Sequence, residues 1–313
     1  MSDRNVVHAA VAVLINQSGS VLLGNRPKGK AWAGWWEFPG GKIEEGESPV
    51  QALHRELHEE IGVIVTDAYP WVVRTFDYPD KTVKLNFFIV KAWQGEPEGR
   101  EGQQLSWQDP SNLTVEPMLP ANTPILSALS WPSIYAITNL QDMGEAAFFK
   151  ALRLQLAAGL KLVQIREKHL DRSALLKFSK ALITIAHEYG AKVLMNADLD
   201  LVLTAGADGI HLTSEVLMSL DQKPKGLIVG ASCHNANEIA QAVSLDLDFL
   251  MISPVLPTLS HPEAQGLGWE AFRKIKQDCP LPVYALGGMQ NKDLKTAWQF
   301  GAHGIAMQRA IWE

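Results

Sequence analysis

Residues 41–63, GKIEEGESPVQALHRELHEEIGV, run from a glycine-rich turn into an amphipathic helix. Ser48 is placed to cap that helix, with Pro49 at its first position and Gln51 at its third, a capping-box arrangement. Gly62 suits the position just past the last turn. At 100° per residue Val50, Leu53, Leu57 and Ile61 share one face, which predicts packing against a sheet. Glu56, Glu59 and Glu60 fall on a neighbouring face, with Glu56 and Glu60 one turn apart. Glutamates on a helix usually form a solvated face, and like charges four apart cost only about 0.2–0.5 kcal/mol, so charge alone demands no metal. The spacing says more. Gly41, five residues, Glu47, seven residues, then Arg55-Glu56-Leu57-His58-Glu59-Glu60-Ile61-Gly62-Val63 form one extended pattern. With each of seven fixed residues taken at about one in fifteen, a chance occurrence in this chain is on the order of one in a million.

The residue types suit polyphosphate chemistry. Glutamates on adjacent turns hold an oxygen cluster on a rigid element, and Mg²⁺ prefers such hard oxygens while bridging substrate phosphates. A bound metal polarises phosphoryl oxygens and lowers the pKa of its water. Charge makes the metal necessary: residues 1–129 carry 11 Lys and Arg against 16 Asp and Glu, the remainder 17 against 18. Neither half has the basic footprint of a nucleic-acid binder, so no nucleic-acid partner is expected.

The 313 residues exceed what one core usually serves, which predicts two domains. Cys233 and Cys279 are too few and too distant for a disulfide framework or a zinc site. With no signal pattern and no apolar run near 18 residues, a cytoplasmic protein without a membrane partner is expected. Nothing in the sequence sets an oligomeric state. VVHAAVAVLINQ (6–17) alternates apolar and polar, and Ser18-Gly19-Ser20 turns it into VLLGNR, which reads as two antiparallel strands. Strand-like runs follow at WVVRTF and VKLNFFIVKAW. EPMLPANTP (116–124) holds three prolines in nine residues, which places the boundary at about 130: residues 1–129, then 130–313.

From Ser133 onward strands and helices alternate. SIYAIT, KLVQIRE, KVLMNA, GIHL, LIVGAS, FLMISPV, PVYALGG and GIAMQR are the strand candidates, and eight of them imply a (β/α)₈ barrel. The chain stops four residues after GIAMQR, leaving no room for an ordinary eighth helix. Ile134, Ala136, Ile305 and Met307 then need a cover. The segment 118–132, the first domain, a second subunit and Trp312 folded back are the candidates, with the linker and first domain favoured.

The first half resembles the Nudix hydrolases of the MutT type, the 8-oxo-dGTP diphosphatases. EFPGGKIEEGE (37–47), the pattern above, YPDK (78–81), GEPEGREGQ (95–103) and LPANTP (119–124) carry the likeness. It implies an α/β/α sandwich, Mg²⁺ or Mn²⁺ as cofactor, and water attack on an inner phosphorus of an oxidised purine nucleoside triphosphate. Gly40 (through its carbonyl), Glu56, Glu59, Glu60 and Glu101 would serve the metal, and Arg55 would orient a box glutamate. Arg26, Glu37, Phe38, Pro39, Gly40, Lys81 and Asn122 would contact the nucleotide, Asn122 reading the purine edge with its amide. Trp35 and Trp36 either line the cleft or pack in the core. Another nucleotide, a thiamine-related diphosphate, or nucleotide sensing without hydrolysis are the alternatives.

The second half resembles the thiamine phosphate synthases and the metal-free thiazole tautomerases, through QIREK (164–168), ADGIHL (207–212), GASCH (230–234), SPVLPT (253–258) and ALGG (285–288). The resemblance implies a phosphorylated thiamine-precursor-like ligand. Gln164, Arg166, Lys168, Asn196, Ser232, His234 and Gly288 are its candidate contacts, His234 at the acid/base position of the tautomerases. The departures stand where the synthases hold metal and diphosphate: Ala197 and Val216 replace aspartates, His261 replaces a lysine, and Arg309 a serine. Asp198 and Glu215 each lie one position from the lost carboxylates. A degenerate ligand-sensing domain, a tautomerase-like enzyme and a residual synthase all stay open.

Overall fold

A computed structural model describes residues 6–78, 81–258 and 265–313; His261, Pro79 and Asp80 lie outside the described residues. The chain divides into two units, Met1–Trp131 with Asp278–Pro280, and Pro132–Gln277 with Leu281–Glu313. Among the described residues no helix is long and apolar enough to cross a membrane.

In the first unit β1 (Val6–Leu14), β2 (Val21–Asn25), β3 (Trp36–Glu37) and β4 (Gly40–Lys42) precede α1 (Pro49–Ile61). Strands β5 (Ile64–Asp77), β6 (Thr82–Gln94) and β7 (Leu105–Gln108) and helix α2 (Thr123–Leu129) follow. β1 lies inside a mixed sheet of order β4-β1-β6-β5, antiparallel to β4 and parallel to β6. β2 belongs to a second sheet, β3-β2-β7. The two segments read as an antiparallel pair therefore share only the bridge Ile15–Val21. Both edges of β1 are taken, so no ladder to β2 can form.

β1 is not half-polar either. Residues 9–14 are buried without a break. Ala10, Ala12 and Leu14 pack with Ala52, Leu53, Leu57 and Ile61 of α1, whereas Val11 and Val13 pack with Ile125, Leu126 and Ala128 of α2. A strand covered on both faces reads as one apolar run, and helices on opposite faces make the expected α/β/α sandwich. Val50 departs from expectation. It has the angular position of the buried stripe but lies in the first turn, ahead of the buried run, and is 47% exposed. Ala52 takes a place in the core instead.

In the second unit β8 (Ile134–Ile137), β9 (Leu162–Ile165), β10 (Lys192–Met195), β11 (Gly209–Leu212), β12 (Ile228–Cys233), β13 (Phe249–Ile252), β14 (Val283–Leu286) and β15 (Gly304–Met307) close into a parallel barrel. Each of the eight quoted segments holds one strand. Asp171, Asp198, Thr213 and Asn235 cap the helices that follow four of the strands, accepting backbone N–H groups of the first turns. Tyr135, His211, Phe249 and Tyr284 fill the interior, with ring centroids 5.4–5.8 Å apart.

Ile305 registers with Ile134 and Met307 with Ala136, on the face opposite Tyr135. No helix follows β15 among the described residues. The tail folds back: the Trp312 indole N–H donates to the Ile137 carbonyl at 2.8 Å, and its ring meets Phe148 edge-on at 5.0 Å. Within this unit Trp312 folded back, one of the four candidates, is in place.

Candidate functional site

The α1 cap forms as read. The Ser48 hydroxyl accepts from the Gln51 N–H at 3.3 Å while the Gln51 side chain accepts from the Ser48 N–H at 2.8 Å. Gly62 ends the helix with a left-handed φ of 75°. This fixes the polar face on which Arg55 acts as a hub. Its Nε donates to Glu47 Oε1 at 3.0 Å, one terminal nitrogen to Glu47 Oε2 and to the Lys42 carbonyl, both at 2.9 Å, and the other to Glu56 Oε1 at 2.9 Å and Glu59 Oε2 at 3.3 Å. Charge-assisted bonds to Glu47 and then Glu56 raise the Arg55 pKa further above its ordinary value, and the Arg55 contact holds the Glu47 carboxyl below the usual range. Glycine is required at Gly40 by the backbone, and at Gly41 it leaves room for the Glu56 carboxylate. A Cβ on Gly41 would lie 2.1–2.4 Å from the Glu56 carboxylate, and one on Gly40, where φ is 145°, would lie 2.2 Å from the Ala10 carbonyl.

Glu60 accepts from the Gly40 N–H at 2.9 Å. Burial pushes its carboxyl up to about 7, opposed by that N–H and reinforced by the charges of Glu37 and Glu101. Glu101 sits on the loop after β6, with Lys30 Nζ 2.5 Å from its Oε2. The loop is tied to the end of α1: Arg100 N–H and the Gln103 amide both donate to the Glu60 carbonyl, at 3.0 and 2.9 Å. Glu59 is 58% exposed and, among the described residues, its side chain reaches only Arg55.

The expected ligands therefore stand in separate groups, each with its own cation or N–H donor. Among the described residues no group of three or more His, Cys, Asp or Glu is arranged to hold a metal ion. Arg55 gathers Glu47, Glu56 and Glu59, and Lys30 engages Glu101. The donor chemistry nonetheless fits a hard divalent cation: all-oxygen, rigidly based on α1, and including a half-buried Glu60 carboxyl that like charges disfavour in its ionised form.

The nucleotide-facing candidates lie around β3. Both oxygens of Glu37 accept from one terminal nitrogen of Arg26 at 2.7 Å, although burial still raises the Glu37 pKa. Phe38 is 2% exposed and meets Phe87 edge-on. The Pro39 carbonyl accepts from the Ala12 N–H at 2.8 Å. Trp36 N–H donates to Pro117 and Leu119 N–H to Trp36, docking the proline-rich segment on β3. That docking delivers Asn122, which is 5% exposed and does not cap α2. Among the described residues its amide finds no hydrogen-bond partner. Trp32, Trp35 and Tyr78 form an edge-to-face cluster. The Lys81 carbonyl accepts from the Tyr78 N–H at 2.8 Å.

In the second unit a cavity of about 510 Å³ is lined by Gln164, Arg166, Lys168, Asn196, Ser232, His234 and Gly288 together. Gln164 is 1% exposed, and its Oε1 has no hydrogen-bond partner among the described residues. His234 Nδ1 lies 2.8 Å from the Ser253 carbonyl and donates to it, which orients the ring. Asn196 donates to the His211 carbonyl at 2.8 Å. Asp198 is committed elsewhere: it caps a helix through the Leu201 N–H at 3.0 Å and pairs with Arg172 at 2.6 Å.

Sequence reading missed Lys30, Arg100, Gln103 and the His211 network. His211 Nε2 lies 3.0 Å from the Ser232 hydroxyl, and Nδ1 lies 3.2 Å from the Tyr135 hydroxyl. Burial, helped by the Arg166 charge, holds this imidazole down to about 3. The folded pKa is depressed, so the unfolded chain takes up a proton below about pH 6.5 that the folded chain refuses. Its stabilising contribution is complete above that pH and falls by about 1.4 kcal/mol per unit as the pH drops toward 3. The His211 ring resonances should therefore show no titration between pH 8 and 5; a midpoint near 6.5 would contradict this.

A family model described as NUDIX domain matches residues 6–129, and one described as thiamine monophosphate synthase matches residues 134–311. The 8-oxo-dGTP diphosphatase of Haemophilus influenzae is 39% identical over 41% of this chain and 93% of its own length. That of Escherichia coli is 37% identical over 38% of this chain and 93% of its own. "Putative thiamine-phosphate synthase 2" of Aquifex aeolicus is 35% identical over 56% of this chain and 95% of its own length.

Proposed function

The chain belongs to the NUDIX family over residues 6–129 and to the thiamine monophosphate synthase family over residues 134–311, and from that premise we propose that its first unit is a Mg²⁺-dependent diphosphatase for oxidised guanine nucleoside triphosphate. The first unit is a hydrolase by its family and its relatives. The observation that carries the substrate reading is Asn122, 5% exposed, whose side chain makes no capping bond to α2 and which is carried by the proline-rich segment docked on β3. An amide offers one donor and one acceptor. Guanine presents two acceptors, O6 and N7, on that edge; oxidation at C8 places a proton on N7 and makes the edge complementary to Asn122.

Glu56, Glu60 and the Gly40 carbonyl would hold the metal with Glu59 and Glu101 in support, and the bound ion would neutralise phosphate charge and acidify water. Arg55 fixes the Glu56 carboxylate, and the Gly40 N–H fixes that of Glu60. Phe38 closes the floor of the purine site against water. One water adds across the bond to an inner phosphorus, giving the monophosphate and pyrophosphate, which would clear an oxidised nucleotide before its use in DNA synthesis. The product mixture from 8-oxo-dGTP tests the reading. Pyrophosphate without orthophosphate, abolished by a chelator, is expected; stepwise release of orthophosphate would overturn it.

For the second unit we propose binding of a phosphorylated heterocycle without metal and without thiamine phosphate synthesis. The family's metal does not fit here. Ala197 and Val216 stand at its carboxylate positions, Asp198 is held by Arg172 and its helix cap, and Arg166, Lys168 and Arg309 line the cavity. Those cations suit a phosphate directly. The two synthase substrates should yield no product with Mg²⁺; chelator-sensitive product formation would contradict this.

A further inference from the structure

We propose that Lys30 is the resident counter-cation of the Nudix carboxylates, displaced when divalent metal binds and then engaged by a phosphate oxygen of the substrate. This rests on the metal-dependent reading above. Lys30 lies in the segment between β2 and β3, which Arg26 closes on itself. The Arg26 N–H donates to Trp35 and the Gly34 N–H to Arg26, both at 2.8 Å, while Arg26 Nε donates to the Ala31 carbonyl at 2.7 Å. The closed segment sends the Lys30 ammonium to Glu101, which lies 71 residues further along the chain.

Its reach extends beyond that pair. The Lys30 charge also favours the ionised forms of Glu37 and Glu60. The contact itself is with Glu101, at 2.5 Å on the loop after β6, while Glu37 at the end of β3 and Glu60 in the last turn of α1 feel the same charge from farther away. Lys30 therefore occupies a carboxylate that a divalent cation would claim, and the two cations compete at Glu101. An ammonium on a flexible stem is readily rehydrated, and this side chain is 53% exposed. Exchange for a divalent ion is therefore cheap, a factor of about two to five in metal affinity for a pair of this exposure. Once released, the same ammonium stands beside the incoming polyphosphate.

The proposal makes two effects of opposite sign. In Lys30→Met, Mn²⁺ affinity without nucleotide, followed by electron paramagnetic resonance of the free ion, should tighten about two- to fivefold. At saturating Mg²⁺ the KM for the nucleotide should rise about tenfold with kcat changed by less than about threefold. Lys30→Arg, which keeps the charge, should restore both to within about twofold of the parent. Unchanged or weakened Mn²⁺ binding in Lys30→Met would overturn the proposal, because a merely structural lysine weakens metal and nucleotide together. A parent chain that binds no Mn²⁺ would overturn the metal reading itself, and this proposal with it.

Discussion

Glu60→Gln should lower kcat for nucleotide hydrolysis by at least about a hundredfold, on the order of 3 kcal/mol at the transition state. The substitution preserves shape. A glutamine oxygen can still accept from the Gly40 N–H, which Glu60 meets at 2.9 Å. What disappears is the charge that a metal acting on phosphorus requires. Glu60 lies on the polar side of α1, away from Leu53 and Leu57, so circular dichroism should not change. Glu59→Gln makes the informative comparison, since Glu59 is 58% exposed and its side chain touches only Arg55 among the described residues; its loss should be several-fold smaller. Near-normal turnover of Glu60→Gln at saturating Mg²⁺ would remove Glu60 from the metal site.

Asn122→Ala should damage discrimination more than turnover. The preference for 8-oxo-dGTP over dGTP should fall by about 1–3 kcal/mol, the range for losing a good two-point contact to a base edge. The side chain neither caps α2 nor finds a partner among the described residues, so its truncation leaves no backbone group newly unsatisfied. Competition kinetics with both nucleotides present measures the ratio directly. If both substrates weaken equally, Asn122 serves to position the turn between the two prolines.

The box helix was legible because its signals are local. Ser48, Pro49, Gln51 and Gly62 act within a few residues of one another, and the structure forms the capping box as the spacing implies. The eight barrel strands were legible for a similar reason: each is a short apolar run bounded by turn residues. Sheet partners were not. β1 and β2 are neighbours in sequence joined by a tight turn, but β4 and β6 compete for the same edges and win them. Alternation misled at β1 as well, because polar spacing at its two ends hid a centre covered on both faces. At the site, carboxylate positions could be read from spacing, whereas their counter-ions could not. Lys30 lies 71 residues from Glu101 in sequence, and nothing local marks it. His211 sat inside a quoted motif, yet an apolar strand context concealed its links to Ser232 and Tyr135.

The central claim, an oxidised-purine diphosphatase fused to a metal-free barrel, is tested most directly by kcat/KM of the intact chain with Mg²⁺. Three substrates suffice: 8-oxo-dGTP, dGTP and thiamine diphosphate. The account predicts that 8-oxo-dGTP leads dGTP by at least about tenfold, consistent with one discriminating amide, and that thiamine diphosphate is turned over far more slowly than either. Thiamine diphosphate as the preferred substrate, or equal rates on the two nucleotides, would contradict it.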